Sequence, residues 1–262
     1  GQVLEEPSYL DAAIRIHDFI ESKMVTGNDR LYLRYRDGEA AYVGQLDDYA
    51  VYALALLEIY RVTFDAKYLQ CALHRAKQMV ELFEDKNKGG YFMTAFDGEQ
   101  LIARPKETYD GAMPSDNSVV AMVLQTLASL TGEPEWQAAA DRQLSFLAGE
   151  IGEYPSASCF GVLAMMDALY PHRELVCVAR DSQPGELTAY LREHPADDLQ
   201  VLLKTKESAD VLSKCAPFTK DYPIPEQGTM YYLCENGACK APVSDLSLIH
   251  ISEPTRVGMI SY

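Results

Sequence analysis

The feature that most constrains this chain is a strict alternation between two kinds of helix. Tyr9 to Lys23 carries Leu10, Ile14, Ile16, Phe19 and Ile20 with charges between them. Ala66 to Phe83 sets Tyr68, Ala72, Ala76, Met79, Val80 and Phe83 along one side, and Glu135 to Gly149 does the same with Trp136, Leu144 and Leu147. Between these fall Tyr49 to Tyr60 (YAVYALALLEIY), Asn117 to Leu130 (NSVVAMVLQTLASL) and Ser158 to Leu169 (SCFGVLAMMDAL), each apolar nearly all round. An amphipathic helix buries one stripe, whereas a helix without a polar face has to be covered on every side. Alternation of the two predicts an outer and an inner layer joined as helical hairpins. The fold class read here is mainly α: a partial (α/α)6 toroid of about three helical hairpins, with a small C-terminal α/β element. A three-hairpin arc leaves its inner surface open and apolar. The chain also opens at Gly1 rather than Met, so a fragment lacking N-terminal sequence is expected.

The connections repeat as well. LYLRYRDGEAAYVGQLDD leads into the first apolar helix and GGYFMTAFDGEQLIARPKETYDGAMPSDNS into the second. Each holds an aromatic run, an Asp-Gly-Glu (Asp37 to Glu39, Asp97 to Glu99) and a second short run, which predicts a β-hairpin in both. Residues 1–171 are thus read as the second half of a toroid. In residues 172–245, Leu175 to Ala179 and Leu199 to Lys204 read as strands flanking a helix at Glu186 to Glu193, followed by a Pro-rich stretch and a strand at Thr229 to Cys234. Residues 246–262 (LSLIHISEPTRVGMISY) match neither pattern and read as the translation of a sequencing adapter, a tail foreign to the protein.

Net charge is −16, from 23 Lys and Arg against 39 Asp and Glu. That balance argues against nucleic acid or an anionic membrane surface as partner, since both need a basic footprint. No apolar run approaches the roughly 20 residues of a membrane span. The six cysteines are scattered, and a chain of this size needs no disulfide staples, so a reducing, cytoplasmic setting is expected. Cys234-x4-Cys239 can be read as part of a metal set or as a redox couple, but the spacing is not CxxC and no His lies nearby. No metal site and no cofactor are expected.

Loops leading into the inner helices of a toroid converge at one end of the barrel. Three such segments are read: Gln45 to Asp48, Pro114 to Asp116, and Pro155 with Ser156. Asp or Ser at these places is first of all a helix N-cap. Around the second segment, however, Arg104, Lys106, Asp110, Ser115 and Asn117 crowd beside a buried helix. Helix N-termini facing one cavity favour a strongly polar or negative ligand. Asp47, Asp48 and Asp110 are the candidate catalytic carboxylates, able to work as acid and base if their environments separate their pKa values. Tyr49, Arg104, Lys106, Ser115 and Asn117 are the candidate substrate-binding residues, and Tyr42, Tyr49, Tyr91 and Tyr109 the candidate aromatic walls. His17 and His74 fall on the outer helices, His172 and His194 near the α/β element and His250 in the tail, which disfavours a histidine acid–base mechanism in this part.

LDDYA (Leu46 to Ala50), GGYF (Gly89 to Phe92), Arg104-x-Lys106, DGAMPSDNSV (Asp110 to Val119) and YLCENGACKAPV (Tyr232 to Val243) together resemble the YyaL, or spermatogenesis-associated protein 20-like, family, from about Tyr9 to Asp245. The family pattern has Gly where Asp116 stands. The resemblance implies a six-hairpin glycosidase-like toroid, preceded in longer chains by a thioredoxin-like domain. The expected ligand is a small molecule such as a sugar, bound in the toroid pocket. The alternative is a redox-linked or protein-interaction module working with that thioredoxin-like domain.

Overall fold

The structure is a computed structural model, and it describes residues 1, 4–98, 102–152, 154–170, 173–193, 199–235 and 238–248. The helical part holds six helices: α1 (Pro7–Lys23), α2 (Leu46–Thr63), α3 (Ala66–Phe83), α4 (Asp116–Thr131), α5 (Pro134–Ile151) and α6 (Cys159–Leu169). All six expected helices are present, with ends shifted by a few residues. α2 and α4 form the inner row and α4 passes on to α6, while α3 lies along α2 and α5 along α4. The passage from an inner helix to the next outer one is a two-residue reversal. Phe64 closes α2 in the left-handed conformation (φ 53°), and the Asp65 carboxylate then accepts the Lys67 amide to open α3. Gly132 (φ 66°) ends α4 in the same way, and Pro134 sits at the start of α5. The passages from outer to inner helices are long, and they carry the polar residues.

Burial follows the expected layers except at the two flanks. α2 and α4 are packed on nearly every side, with Leu46, Tyr49, Ala53, Leu56, Val120, Leu124 and Leu127 at the centre of one continuous core. α6, expected to be fully buried, encloses only Gly161 and Ala164, while Leu163 and Leu169 are 52% and 83% exposed. α1 has no fully buried residue, and Ile16 is 61% exposed. Each flank helix has one packed side only, because an arc has two ends.

Leu10, Ala13, Ile14 and Ile20 pack α1 on the core, and polar contacts add to their hold. Arg75 on α3 is fully buried and pairs with Glu21 at 2.9 Å, while Tyr52 donates to Glu21 at 2.9 Å and contacts His17 at 2.7 Å. Cys71 donates to the same carboxylate at 3.4 Å. Ligand atoms of His17, Glu21 and Cys71 lie within 4.8 Å of one another, yet the Arg75 guanidinium already occupies Glu21, which is unfavourable for a cation.

The first connection forms the expected β-hairpin, β1 (Tyr32–Arg36) against β2 (Glu39–Val43), turning at Asp37 and Gly38, both at positive φ. The second connection forms no such ladder among the described residues. Its aromatic run bonds to helix ends instead: the Phe92 amide donates to the Phe83 carbonyl at 2.8 Å and the Phe96 amide to Leu82 at 2.9 Å. Those two amides are therefore not free for a sister strand, and residues 99–101 lie outside the described residues.

The C-terminal element is β3 (Arg173–Ala179), α7 (Gly185–Glu193), β4 (Leu199–Lys204), a short helix α8 (Ala209–Cys215), β5 (Thr229–Glu235) and β6 (Ala238–Cys239), in sheet order β4-β3-β5-β6. β3 and β4 are parallel across the α7 crossover, and β5 runs antiparallel to β3. α8 and β6 were not read from the sequence; at seven and two residues they are too short to show a period. The element packs on α3 and α4, shares their core, and receives the Tyr60 hydroxyl at the Val201 carbonyl. Leu246 is buried, and residues 249–262 of the tail lie outside the described residues, as do His172, His194 and His250.

Candidate functional site

One polypeptide segment ties together the N-termini of all three inner helices. The Leu46 amide at the start of α2 donates to Met93, whose own amide donates to Pro105. At α4, the buried Asn117 side chain accepts the Tyr91 amide at 2.8 Å and donates to the carbonyls of Tyr91 and Glu107 at 3.0 and 2.9 Å. At α6, the Asp110 carboxylate accepts the amides of Phe160 and Gly161 at 2.6 and 3.1 Å, and also that of Ser115 at 2.7 Å. The convergence inferred from the pattern of connections is thus built from hydrogen bonds along residues 91–117.

These bonds sort the candidate residues. Asp110 satisfies orphan amides at the start of α6. Burial works against its ionisation, but the donors outweigh it and hold the carboxyl below the usual range. Ser115 caps α4, its hydroxyl accepting the Ser118 amide and donating to the Ser118 hydroxyl at 2.8 Å. Lys106 pairs with Asp85 at 2.8 Å and donates to the Gly89 carbonyl, with its ammonium over the Phe92 and Phe146 rings. Arg104 donates to the Thr94 carbonyl and lies over Phe92 at 4.1 Å. Tyr49 is fully buried; its hydroxyl accepts the Leu31 amide at 2.9 Å and Arg30 Nε at 3.2 Å, anchoring the β1–β2 hairpin. Of the aromatic walls, Tyr49 and Tyr91 are core residues, whereas Tyr42 and Tyr109 are exposed.

A different group of carboxylates comes together. Asp48, half-buried on the first turn of α2, has its carboxyl pushed up to about 6 by burial and by the charges of Asp47 and Asp116, although its Oδ2 accepts the Gln45 amide at 2.7 Å. Asp116, half-buried at the first position of α4, is pushed up to about 6 by burial and by Asp47 and Glu107. Asp47 and Glu107 are exposed. Two half-buried carboxyls at the heads of neighbouring inner helices, with two exposed ones beside them, form a polar, acidic patch. Each of the two central groups holds a proton over part of the range near neutrality, which general acid–base work requires. Sequence reasoning picked Asp47 and Asp48 but not Asp116, whose first-turn position reads as an ordinary helix start. Only the side-by-side packing of α2 and α4 brings its charge to Asp48.

A separate open cleft of about 680 Å³ lies at the opposite end of α4, lined by Gln125, Ser129, Gly132, Glu133, Gln137 and Asp141 among others. It holds none of the candidate residues. No helix among the described residues is long and apolar enough to cross a membrane.

No family model matches the chain. Over 206 residues, 77% of its length, it is 30% identical to spermatogenesis-associated protein 20 of Rattus norvegicus and 29% identical to that of Homo sapiens. An uncharacterized protein of Caenorhabditis elegans is 31% identical over 150 residues. The chain is a homologue of spermatogenesis-associated protein 20, which bears out the resemblance read from its motifs. It spans about a quarter of the length of these relatives, 26% of the rat and human proteins. Among solved structures, cellobiose 2-epimerase from Spirochaeta thermophila is similar at a TM-score of 0.43 and 17% identity, over 55% of this chain and 38% of that one, a likeness too slight to argue from.

Proposed function

We propose, from this homology and from the acidic patch, that the chain supplies one wall of a toroid pocket that binds or processes a carbohydrate or a related polar small molecule. The observation that carries the reading is the pair Asp48 and Asp116, each pushed up to about 6 at the heads of adjacent inner helices. In this reading one of them donates a proton while the other, ionised, accepts one. Asp47 and Glu107 accept hydroxyl hydrogens at the rim, and Tyr109, exposed in the segment between α3 and α4, offers a ring face to a sugar. Asp110, Ser115 and Asn117 shape the wall through the helix heads they bind, with Tyr49 behind them. Arg104 and Lys106 hold the connecting segment in place. With their cations engaged elsewhere and four carboxylates at the patch, the ligand that fits is neutral and hydroxyl-rich rather than anionic.

The experiment is a thermal-shift and calorimetric screen of neutral mono- and disaccharides against this chain and against a chain of the relatives' full length. It is run at pH 5.5 and 7.5 and repeated with Asp48→Asn and Asp116→Asn. Saturable binding that either substitution weakens is the expected result. The absence of binding to every sugar in both chains would overturn the reading.

A further inference from the structure

We propose that the Cys234–Cys239 disulfide, with Tyr222 beside it, is a site of thiol–disulfide exchange that an incoming thiolate enters at Cys239. The two cysteines face each other across the β5–β6 ladder and form a disulfide, where the sequence pattern favoured two unpaired thiols. The bond closes a loop of sequence separation 5 between strands that their own hydrogen bonds already align. Crosslinking so short a loop removes little chain entropy from the unfolded state, so a stapling role explains the bond poorly.

The two sulfurs differ in access. Cys234 is 5% exposed within β5, while Cys239 lies exposed on the edge strand β6. An external nucleophile therefore meets Cys239 first, and Cys234 is the leaving group. The Tyr222 hydroxyl stands 3.6 Å from Cys239 Sγ and 3.8 Å from Cys234 Sγ. Its ring is held edge-on by Tyr232, with centroids 4.6 Å apart. Burial and the acidic groups Glu174 and Asp221 keep the phenol protonated, so it can donate to whichever sulfur carries charge. Of the four free cysteines, Cys159 is exposed, while burial pushes the thiols of Cys177 and Cys71 up to about 12 and that of Cys215 up to about 11, which leaves those three inert as nucleophiles.

In the first step the thiolate sulfur bonds to Cys239 Sγ as the Cys234–Cys239 bond breaks. The electron pair leaves on Cys234 Sγ, which receives the Tyr222 hydrogen bond and then a proton from solvent. A second thiol, deprotonated to solvent, attacks the first reductant sulfur of the mixed disulfide and releases Cys239 as a thiolate, which is protonated in turn. Two thiols are oxidised to one disulfide and the protein disulfide is reduced to two thiols, so two electrons and two protons move.

The test uses the intact 262-residue chain in native buffer. Reduction by dithiothreitol is quenched with N-ethylmaleimide and the alkylated cysteines are read by peptide mass spectrometry, with fully buried Cys177 reporting any unfolding. Expected is complete alkylation of Cys234 and Cys239 with Cys177 untouched. Tyr222→Phe is expected to slow reduction at least fivefold with an unchanged far-ultraviolet spectrum. In glutathione disulfide, Cys234→Ser should accumulate an adduct on Cys239, and Cys239→Ser should give at least tenfold less on Cys234. The proposal is overturned by reduction that occurs only together with Cys177 alkylation, by a wild-type rate in Tyr222→Phe, or by equal adduct formation on the two cysteines.

Discussion

Replacing Asp116 by Asn should make the protein more stable at neutral pH, and the size of the effect follows from its surroundings. Asp116 and Asp48 both titrate near 6 in the folded chain against an ordinary value of 3.8. The unfolded chain therefore gives up these protons first. The resulting destabilisation is absent below about pH 3.8, grows between 3.8 and about 6, and is constant above that. A carboxyl moved from 3.8 to about 6 is worth about 3 kcal/mol once ionised. Part of that arises from neighbouring carboxylates and is screened by solvent, so Asp116→Asn is expected to recover about 1–3 kcal/mol at pH 7.5 and nearly nothing at pH 4. The amide is isosteric and leaves packing alone, and Asp48 should then titrate closer to its ordinary value. For a chain of this size each kcal/mol corresponds to about 2–4 °C in Tm. Urea unfolding followed by the fluorescence of Trp136, the single tryptophan and a buried one, measures the difference between variant and parent at each pH. A variant equally or less stable at pH 7.5, or a difference that does not change between pH 4 and 7.5, would refute the strained-carboxylate argument and leave Asp116 as a plain helix start.

Other expectations run in the opposite direction. Asp110→Ala removes the acceptor of three backbone amides and should cost about 2–4 kcal/mol at pH 7 by the same unfolding assay. Its carboxyl titrates below 3.8, so the stability it gives is present above that value and lost as pH falls through the folded pKa; the variant and the parent should converge in strong acid. Gly90→Ala places a methyl 2.6 Å from the Phe146 ring at φ +73°, and a loss of about 2 kcal/mol or more is expected; a neutral result would show that Phe146 moves freely. Arg75→Met leaves Glu21 without its cation and should loosen α1 specifically, seen as faster amide exchange across Pro7–Lys23 with α4 unchanged. Uniformly faster exchange across both helices would contradict that placement.

The periodicity of apolar residues determined the helices and their order in the layers, because a helix without a polar face has few places to go. It also determined the parallel β3–β4 pair, since two apolar runs flanking a helix have one economical packing. The hairpin signal at Asp37-Gly38 was legible too, while its twin at Asp97-Gly98 shows no ladder among the described residues, where the helix end at Leu82 and Phe83 offers partners to Phe96 and Phe92 instead. The sequence likewise showed which residues crowd the heads of the inner helices. What each of them does was decided by the tertiary structure alone. Asp110 and Asp116 are both aspartates beside an inner helix, and nothing local distinguishes them. One faces three amide donors and holds its charge easily; the other, half-buried beside Asp47 of α2 and Glu107, keeps its proton up to about pH 6. A pKa depends on charges and burial supplied by segments far away in the chain, so periodicity and capping patterns cannot contain it.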